Sequence, residues 1–244
     1  MNPLLVAHGT RKAPGVAMIA DLAERVGAQL GQPVRTAFVD VLGPTPADVL
    51  SALPDEPAVV VPAFLASGQH VRVDIPAFVA VSGHPDVTVT DALGPSAHIV
   101  RVVTDRLIES GWRPSDSVVL AAAGTSDDRA KRDLRITAAL LSAAIGRRVE
   151  LAYAATGEPR VADAVTTLRS AGARRIVVAS YLLADGLFQD RLHESGADVV
   201  TAPLGTHPGV ARLITSRFRR ARLPAGHPSH PAPNTSVATS LRIR

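Results

Sequence analysis

The chain has 244 residues, of which 46% are hydrophobic and 20% charged, and its formal net charge is +4. This composition allows a sizeable buried core and is typical of a globular protein. No apolar run reaches the ~18 residues that a membrane-spanning helix needs, and the first residues lack the pattern of a signal peptide. The absence of cysteine excludes disulfides and thiolate metal sites, so a metal would need histidine and carboxylate ligands. We expect a cytoplasmic protein that does not bind membranes.

Short β-branched runs alternate with amphipathic stretches along the chain, which predicts βα units built on a parallel sheet. In the first half, four almost unbroken apolar runs are predicted to be strands buried on both faces: residues 3–7, 33–39, 58–62 and 87–91. Helices are predicted between them. The first of these has apolar residues at three- and four-residue spacing, namely Ile19, Leu22, Ala23, Val26 and Leu30.

The second half repeats the first in its residues as well as in its pattern, which indicates a duplication. Four segments recur in the same order: LLVAHGT (4–10) as VLAAAGT (119–125), ADVLSAL (47–53) as ADAVTTL (162–168), AVVVPAFLASG (58–68) as IVVASYLLADG (176–186), and LGPSAHIVRVVTDRL (93–107) as LGTHPGVARLITSRF (204–218). We therefore predict an α/β fold of two similar lobes, each a small parallel sheet flanked by helices.

The predicted domains are a first lobe of residues 1–113 and a degenerate second lobe of residues 114–223. They are joined near residues 111–116, where Gly, Pro and Ser interrupt the pattern. Residues 224–244 change to Pro, Ser, His, Ala and Thr without apolar periodicity, which predicts a disordered tail.

Three polar residues follow three successive strands of the first half. His8 comes directly after the first predicted strand, Asp40 after the second, and His70 in the loop after the third. Ligands of open parallel sheets bind outside the carboxyl ends of the strands, so these side chains can converge on one site. Taken singly, His8 and Asp40 could instead cap helices or bond to loop backbone, and His70 could be an N-terminal helix residue.

The second copy of the repeat favours the functional interpretation. There His8 is replaced by Ala123, Asp40 by Ala154 or Ala155, and His70 by Phe188. The framework glycines are kept, with Gly9 and Gly68 returning as Gly124 and Gly186. Polar residues needed only to hold the fold would be expected in both copies. The pattern therefore predicts one active site, in the first half.

The motifs AHGTRKAPG (7–15), AFVDVLGPTPADVL (37–50) and GQHVRVDIP (68–76) resemble those of the sirohydrochlorin chelatases, the class II chelatases of the CbiX and SirB type. The resemblance covers roughly residues 3–222. It implies a two-lobed α/β fold with a cleft between the lobes, and ATP-independent insertion of iron or cobalt into sirohydrochlorin. The stretch 207–222 is predicted to be a helix that either adds surface to this cleft or closes the second lobe. The divalent metal is then a substrate, and no organic cofactor is required.

By matching motif, the resemblance implies that His8 and His70 are the metal-binding and catalytic histidines. It also implies that Asp40 is a third metal ligand, at a position where the family usually has glutamate. Val73 replaces an acidic residue that is common in the family motif. Neutral imidazole suits Fe²⁺ and Co²⁺, and a site with two or three protein ligands leaves coordination positions open for pyrrole nitrogens. Either histidine could accept a proton that insertion releases.

Sirohydrochlorin is rich in carboxylates, so its binding site should offer cations and N–H groups. The candidates are Arg11, Lys12 and Arg72, beside the two histidines, and the backbone of Gly9 and Thr10, where a helix begins. Each of the three cations could equally be a solvated loop residue.

Other functions are weighed against this one. A histidine phosphatase would need arginine where Ala7 precedes the histidine, and the chain has neither a P-loop nor a dinucleotide-binding fingerprint. The basic run 216–222 belongs to no nucleic-acid-binding motif and is interpreted as a helix end, so no nucleic-acid partner is predicted. A non-catalytic metal or tetrapyrrole carrier is the remaining alternative. Because the duplication can build a cleft within one chain, we expect a monomer.

Overall fold

The computed structural model describes residues 1–10, 12–205 and 207–221. Its strands are β1 (Asn2–Ala7), β2 (Arg35–Phe38), β3 (Ala58–Pro62), β4 (Val87–Val89), β5 (Ser117–Gly124), β6 (Val149–Thr156), β7 (Ile176–Tyr181) and β8 (Val199–Val200). Its α-helices are α1 (Ala13–Leu30), α2 (Pro46–Ser51), α3 (Ile75–Ser82), α4 (Ala97–Glu109), α5 (Asp128–Ile145), α6 (Val161–Ser170), α7 (Leu187–His193) and α8 (Pro208–Ala221). Arg11 and the predicted tail, residues 224–244, lie outside the described residues.

The strands form two four-stranded parallel sheets with the same topology. The order is β2-β1-β3-β4 in the first sheet and β6-β5-β7-β8 in the second. The predicted fold class is thereby confirmed. The third predicted strand has the bounds of β3, whereas β2 and β4 are shorter than the runs 33–39 and 87–91. The chain passes from the first sheet to the second between β4 and β5. The predicted domain boundary, between residues 113 and 114, lies in this connection.

Local sequence signals explain where the helices begin and end. Thr45 and Asp48 form a capping box at the start of α2, and Asp127 caps α5 by accepting hydrogen bonds from two backbone N–H groups. Such side chains satisfy N–H groups that have no partner within the helix. At the other end, α1 and α5 stop at Gly31 and Gly146, which adopt the left-handed conformation that glycine tolerates.

The last helix of each repeat packs against the sheet of the other repeat. Helix α4 contacts β7 and α5, and α8 contacts β3 and α1. One of the two alternatives for residues 207–222 was that the helix closes the second lobe. That alternative is wrong, because α8 packs on the first sheet. An amphipathic pattern predicts that a helix is covered on one side, but it carries no information about which sheet provides the cover.

The two repeats share one core because of this exchange. Its largest cluster combines residues of both central strand pairs with the apolar faces of α1, α4, α5 and α8. Two smaller clusters cover the outer faces, with α2 and α3 on the first sheet and α6 and α7 on the second. Among the helices of the described ranges, none is long and apolar enough to cross a membrane.

Candidate metal centre

His8 stands at the carboxyl end of a central strand. Strand β1 is paired on both sides, by β2 and β3, and its six residues are all buried, so the chain emerges into solvent at His8, which is exposed. Its Nδ1 lies 3.1 Å from the carbonyl oxygen of Gly9. Because a carbonyl only accepts, Nδ1 carries the proton in this contact and Nε2 is left with its lone pair.

His70 begins a π-helical turn, His70–Asp74, that leads directly into α3. The sequence predicted a loop here. Single π-helical turns are rare and frequent at functional sites. The turn brings the Asp74 carboxylate to 2.6 Å from His70 Nδ1. An ionised carboxylate fixes the proton on Nδ1, so His70 also has Nε2 available for a metal.

The structure brings the two predicted histidines together. The ring centroids of His8 and His70 are 4.8 Å apart and the rings are nearly perpendicular. The Phe64 ring lies 6.0 Å from that of His70 and forms an apolar neighbour. Within the parts of the chain that the structure describes, no group of three histidine, aspartate or glutamate side chains is arranged to hold a metal ion. The structure therefore brings together two of the three predicted ligands, His8 and His70.

Asp40 lies beside His8 through its backbone. The parallel pairing of β1 and β2 continues past the strand ends, where the Asp40 N–H donates to the His8 carbonyl over 3.0 Å. The Asp40 side chain bonds to its neighbour instead of His8: its Oδ1 accepts a hydrogen bond of 2.7 Å from the N–H of Val41. Val41 has a φ of 69°, a conformation that is strained for a β-branched residue. Asp40 as third ligand therefore stays a prediction.

Gly9 is required by the close approach of the β1 and β2 ends. Its φ is 96°, and a Cβ at this position would lie 2.1 Å from the Asp40 carbonyl oxygen. Only glycine fits such a position. Thr10 follows it, and its Oγ1 accepts a hydrogen bond of 3.2 Å from the Lys12 N–H, just before α1 begins.

Two of the three predicted cations lie at the contact between the repeats. Lys12 Nζ donates to Asp190 Oδ2 over 2.8 Å, and the Arg72 guanidinium is hydrogen-bonded to the Asp127 carboxylate. The backbone N–H of Ala130 is the main reason why the pKa of Asp127 lies below its usual range, and Arg72 lowers it further.

Four residues of the site escaped sequence reasoning. Phe64 and Asp74 belong to the first repeat, and Asp127 and Asp190 to the second. The four-residue spacing of His70 and Asp74 was a usable signal, since it places two side chains on one helical face.

In the second repeat the equivalent positions are apolar. Phe188 is 39% exposed and Leu187 is 55% exposed. The guanidinium of Arg191 lies 5.8 Å from the Phe188 ring centroid and donates to the carbonyl of Ala154, which stands near the position equivalent to Asp40. The second repeat thus lacks imidazole at both histidine positions.

A duplicated α/β fold with one histidine pair where its repeats meet defines a protein of the class II chelatase type. The chain matches the family model CbiX over residues 2–110 and 117–221, and it belongs to that family. No curated protein matches the chain significantly.

Solved structures share the fold across nearly the whole chain. A structure described as SirB from Bacillus subtilis with Fe³⁺ has a TM-score of 0.76 at 24% identity, covering 90% of this chain and 95% of that one. A sirohydrochlorin chelatase SirB from Bacillus subtilis subspecies spizizenii in complex with cobalt has a TM-score of 0.74 at 24% identity, with the same coverage. A CbiX described as the terminal enzyme for siroheme biosynthesis in denitrifying bacteria has a TM-score of 0.67 at 22% identity, covering 91% and 99%.

Proposed function

We propose that this protein is an ATP-independent chelatase that inserts Fe²⁺ or Co²⁺ into sirohydrochlorin. The observation that carries the proposal is the His8–His70 pair, in which the Nδ1 atom of each ring is engaged and each Nε2 is available. Membership of the CbiX family and the Fe³⁺ and cobalt complexes of the SirB structures support it.

Two imidazole nitrogens hold a divalent metal without enclosing it. The remaining coordination positions are open to water and then to the pyrrole nitrogens of the substrate. A site closed by four protein ligands would retain the metal instead of releasing it. Because the Val41 N–H engages only Oδ1 of Asp40, we propose that Oδ2 is the oxygen that Asp40 can add as a further ligand.

The reaction replaces two pyrrole N–H protons by the metal ion, so two protons must leave. As each metal–Nε2 bond breaks, the imidazole regains a lone pair that can accept one of them. Asp74 favours His70 for this role, because its carboxylate stabilises the imidazolium that results. The balance closes with one metal ion consumed and two protons released, and neither ATP nor an organic cofactor takes part.

The test is metallation of sirohydrochlorin by the full chain, followed by absorbance under anaerobic conditions with Fe²⁺ or Co²⁺. We expect His8→Ala and His70→Ala to lower the catalysed rate at least about a hundredfold, as for other proton-transfer groups. His98→Ala is the matched control, because His98 is an exposed histidine on α4, and its rate should equal that of the wild type.

Two outcomes would contradict the proposal. If the wild type does not exceed the spontaneous rate with either metal, the protein is not a chelatase. Tight binding of the metallated tetrapyrrole without acceleration would then favour the carrier. If His98→Ala lowers the rate as much as the other two variants, the histidine pair is not the centre of the activity.

A further inference from the structure

Two ion pairs cross from one repeat to the other beside the histidine pair. Lys12 follows His8 into the start of α1, and its Nζ lies 2.8 Å from Asp190 Oδ2 on α7. Arg72 lies within the π-helical turn that begins at His70, and it pairs with Asp127 at the start of α5.

The two ion pairs occupy equivalent positions, because the internal repeat relates one pair to the other. Counting from His8 and Ala123, Lys12 is equivalent to Asp127, and counting from Gly68 and Gly186, Arg72 is equivalent to Asp190. In each pair, the residue at a helix start of one repeat therefore meets the residue after the third strand of the other.

The charges do not follow this symmetry. Both cations come from the first repeat, which carries the histidines, and both carboxylates come from the second. An ion pair would form equally well if the cation came from the second repeat and the carboxylate from the first. The observed order places both positive charges on the repeat that carries the metal site.

The surroundings of the ion pairs allow them to open. The Lys12 and Asp190 side chains are 49% and 56% exposed, and pairs in such positions are held weakly. The Arg72–Asp127 pair is more covered, but each partner has a second anchor. Arg72 Nε also donates to the Ser67 carbonyl over 3.1 Å, and Asp127 Oδ1 accepts from two N–H groups at the start of α5. Neither Arg72 nor Asp127 would be left without a partner when the pair separates.

We infer that Lys12 and Arg72 bind carboxylates of the tetrapyrrole by exchange, with Asp190 and Asp127 occupying the two cations until the substrate replaces them. The inference rests on the proposed function. A substrate carboxylate offers a lysine or arginine the same charge-assisted hydrogen bonds that the aspartate offers. Asp127 and Asp190 are thus specificity-determining residues, because an uncharged or less carboxylated macrocycle cannot displace them.

The Lys12–Asp190 pair provides the sharper test, because Asp127 also caps a helix. Dissociation constants for metal-free sirohydrochlorin are measured by fluorescence titration for the wild type, Lys12→Met and Asp190→Asn. Exchange predicts opposite changes. Lys12→Met loses a carboxylate ligand and should bind about tenfold more weakly, as expected for one charge-assisted contact. Asp190→Asn removes the competing carboxylate and should bind up to about fivefold more tightly, since exposed pairs are weak.

Arg169→Gln is the matched control. Arg169 pairs with Asp198 over 2.8 Å at the opposite end of the second sheet, so this variant reports the effect of losing one positive charge anywhere on the protein. Its dissociation constant should equal that of the wild type.

The outcomes separate this inference from the proposed function. If Lys12→Met and Asp190→Asn weaken binding to the same extent, the pair only holds the repeats together, and the inference is wrong even where the wild type catalyses metallation. If the two variants shift in opposite directions but the wild type accelerates no insertion, the exchange stands as a binding property and only the catalytic proposal fails. If the wild type does not bind sirohydrochlorin, both fail.

Discussion

The hydroxyl of Tyr181 joins the two repeats at a buried point, and its removal gives a measurable prediction. Tyr181 is the last residue of β7 and is 2% exposed, and its Oη donates to the carbonyl of Leu65 over 3.0 Å. Leu65 lies on the segment that leads from β3 to His70. Burial raises the pKa of Tyr181 well above its usual range, so the hydroxyl keeps its proton and remains a donor.

Tyr181→Phe removes this hydroxyl and keeps the ring that fills the core. A buried hydrogen bond whose acceptor is left behind is worth about 1–2 kcal/mol. For a chain of this size, each kcal/mol shifts the melting temperature by about 2–4 °C. We therefore expect a free energy of unfolding lower by about 1.5 kcal/mol and a melting temperature lower by about 3–6 °C.

The assay is urea and thermal unfolding followed by circular dichroism, with Tyr153→Phe as the control. Tyr153 is similarly buried, at 5% exposure, but its hydroxyl has no hydrogen-bond partner among the residues that the structure describes. The control should stay within about 0.5 kcal/mol of the wild type. Equal losses in both variants would refute the hydrogen bond to Leu65 as the cause.

Three further predictions concern the candidate metal centre and its surroundings. Asp74→Ala frees His70 Nδ1 and should weaken Co²⁺ binding about 10- to 100-fold in an absorbance titration; an unchanged affinity would mean that the carboxylate does not orient the ring. Val41→Asn should raise the free energy of unfolding by about 1 kcal/mol in urea, because asparagine tolerates the φ of 69° better than valine, and a loss of stability would contradict the strain. Because the pKa of Asp127 is lowered in the folded state, its stabilising effect is present above the unfolded-state pKa and is lost as the pH falls through the lowered value. The stability difference between the wild type and Asp127→Asn should therefore shrink between about pH 6 and about pH 3 in urea titrations, and a constant difference would show that ionisation of Asp127 is not its source.

The strands and the histidines could be predicted because each depends on a local signal. A strand buried on both faces appears as an unbroken apolar run, and this gave β3 with its observed bounds. The rule that ligands bind at the carboxyl ends of parallel strands then brought His8 and His70 to one edge of the sheet. The comparison of the two copies supplied what a single sequence usually lacks, namely which polar residues the fold can do without.

What the sequence did not predict depends on contacts between distant parts of the chain. Lys12 and Asp190 are 178 positions apart, and no local sequence pattern around either residue indicates that the two pair. The same holds for α4 and α8, whose apolar faces predict burial but not the sheet that buries them. The π-helical turn at His70 was missed for another reason. It is five residues long, which is too short for a repeating pattern of apolar residues to indicate a helix.

The segregation of charge at the repeat contact depends on the two repeats being different sequences. In a symmetric dimer of identical single repeats, each contact made by one copy is made again by the other. The helix-start position would then meet the position after the third strand twice, with the same two residues each time. Cations at both positions, as in Lys12 and Arg72, would face each other and repel. A single sequence could satisfy the contact only by placing one cation and one carboxylate on every copy, which puts a carboxylate beside each histidine pair.

Once the repeats are parts of one chain, the second can supply both carboxylates and the first both cations. The second repeat has alanine and phenylalanine at positions 123 and 188 and aspartate at positions 127 and 190. The first repeat thus carries the histidine pair and both cations, and the second occupies those cations from the opposite side.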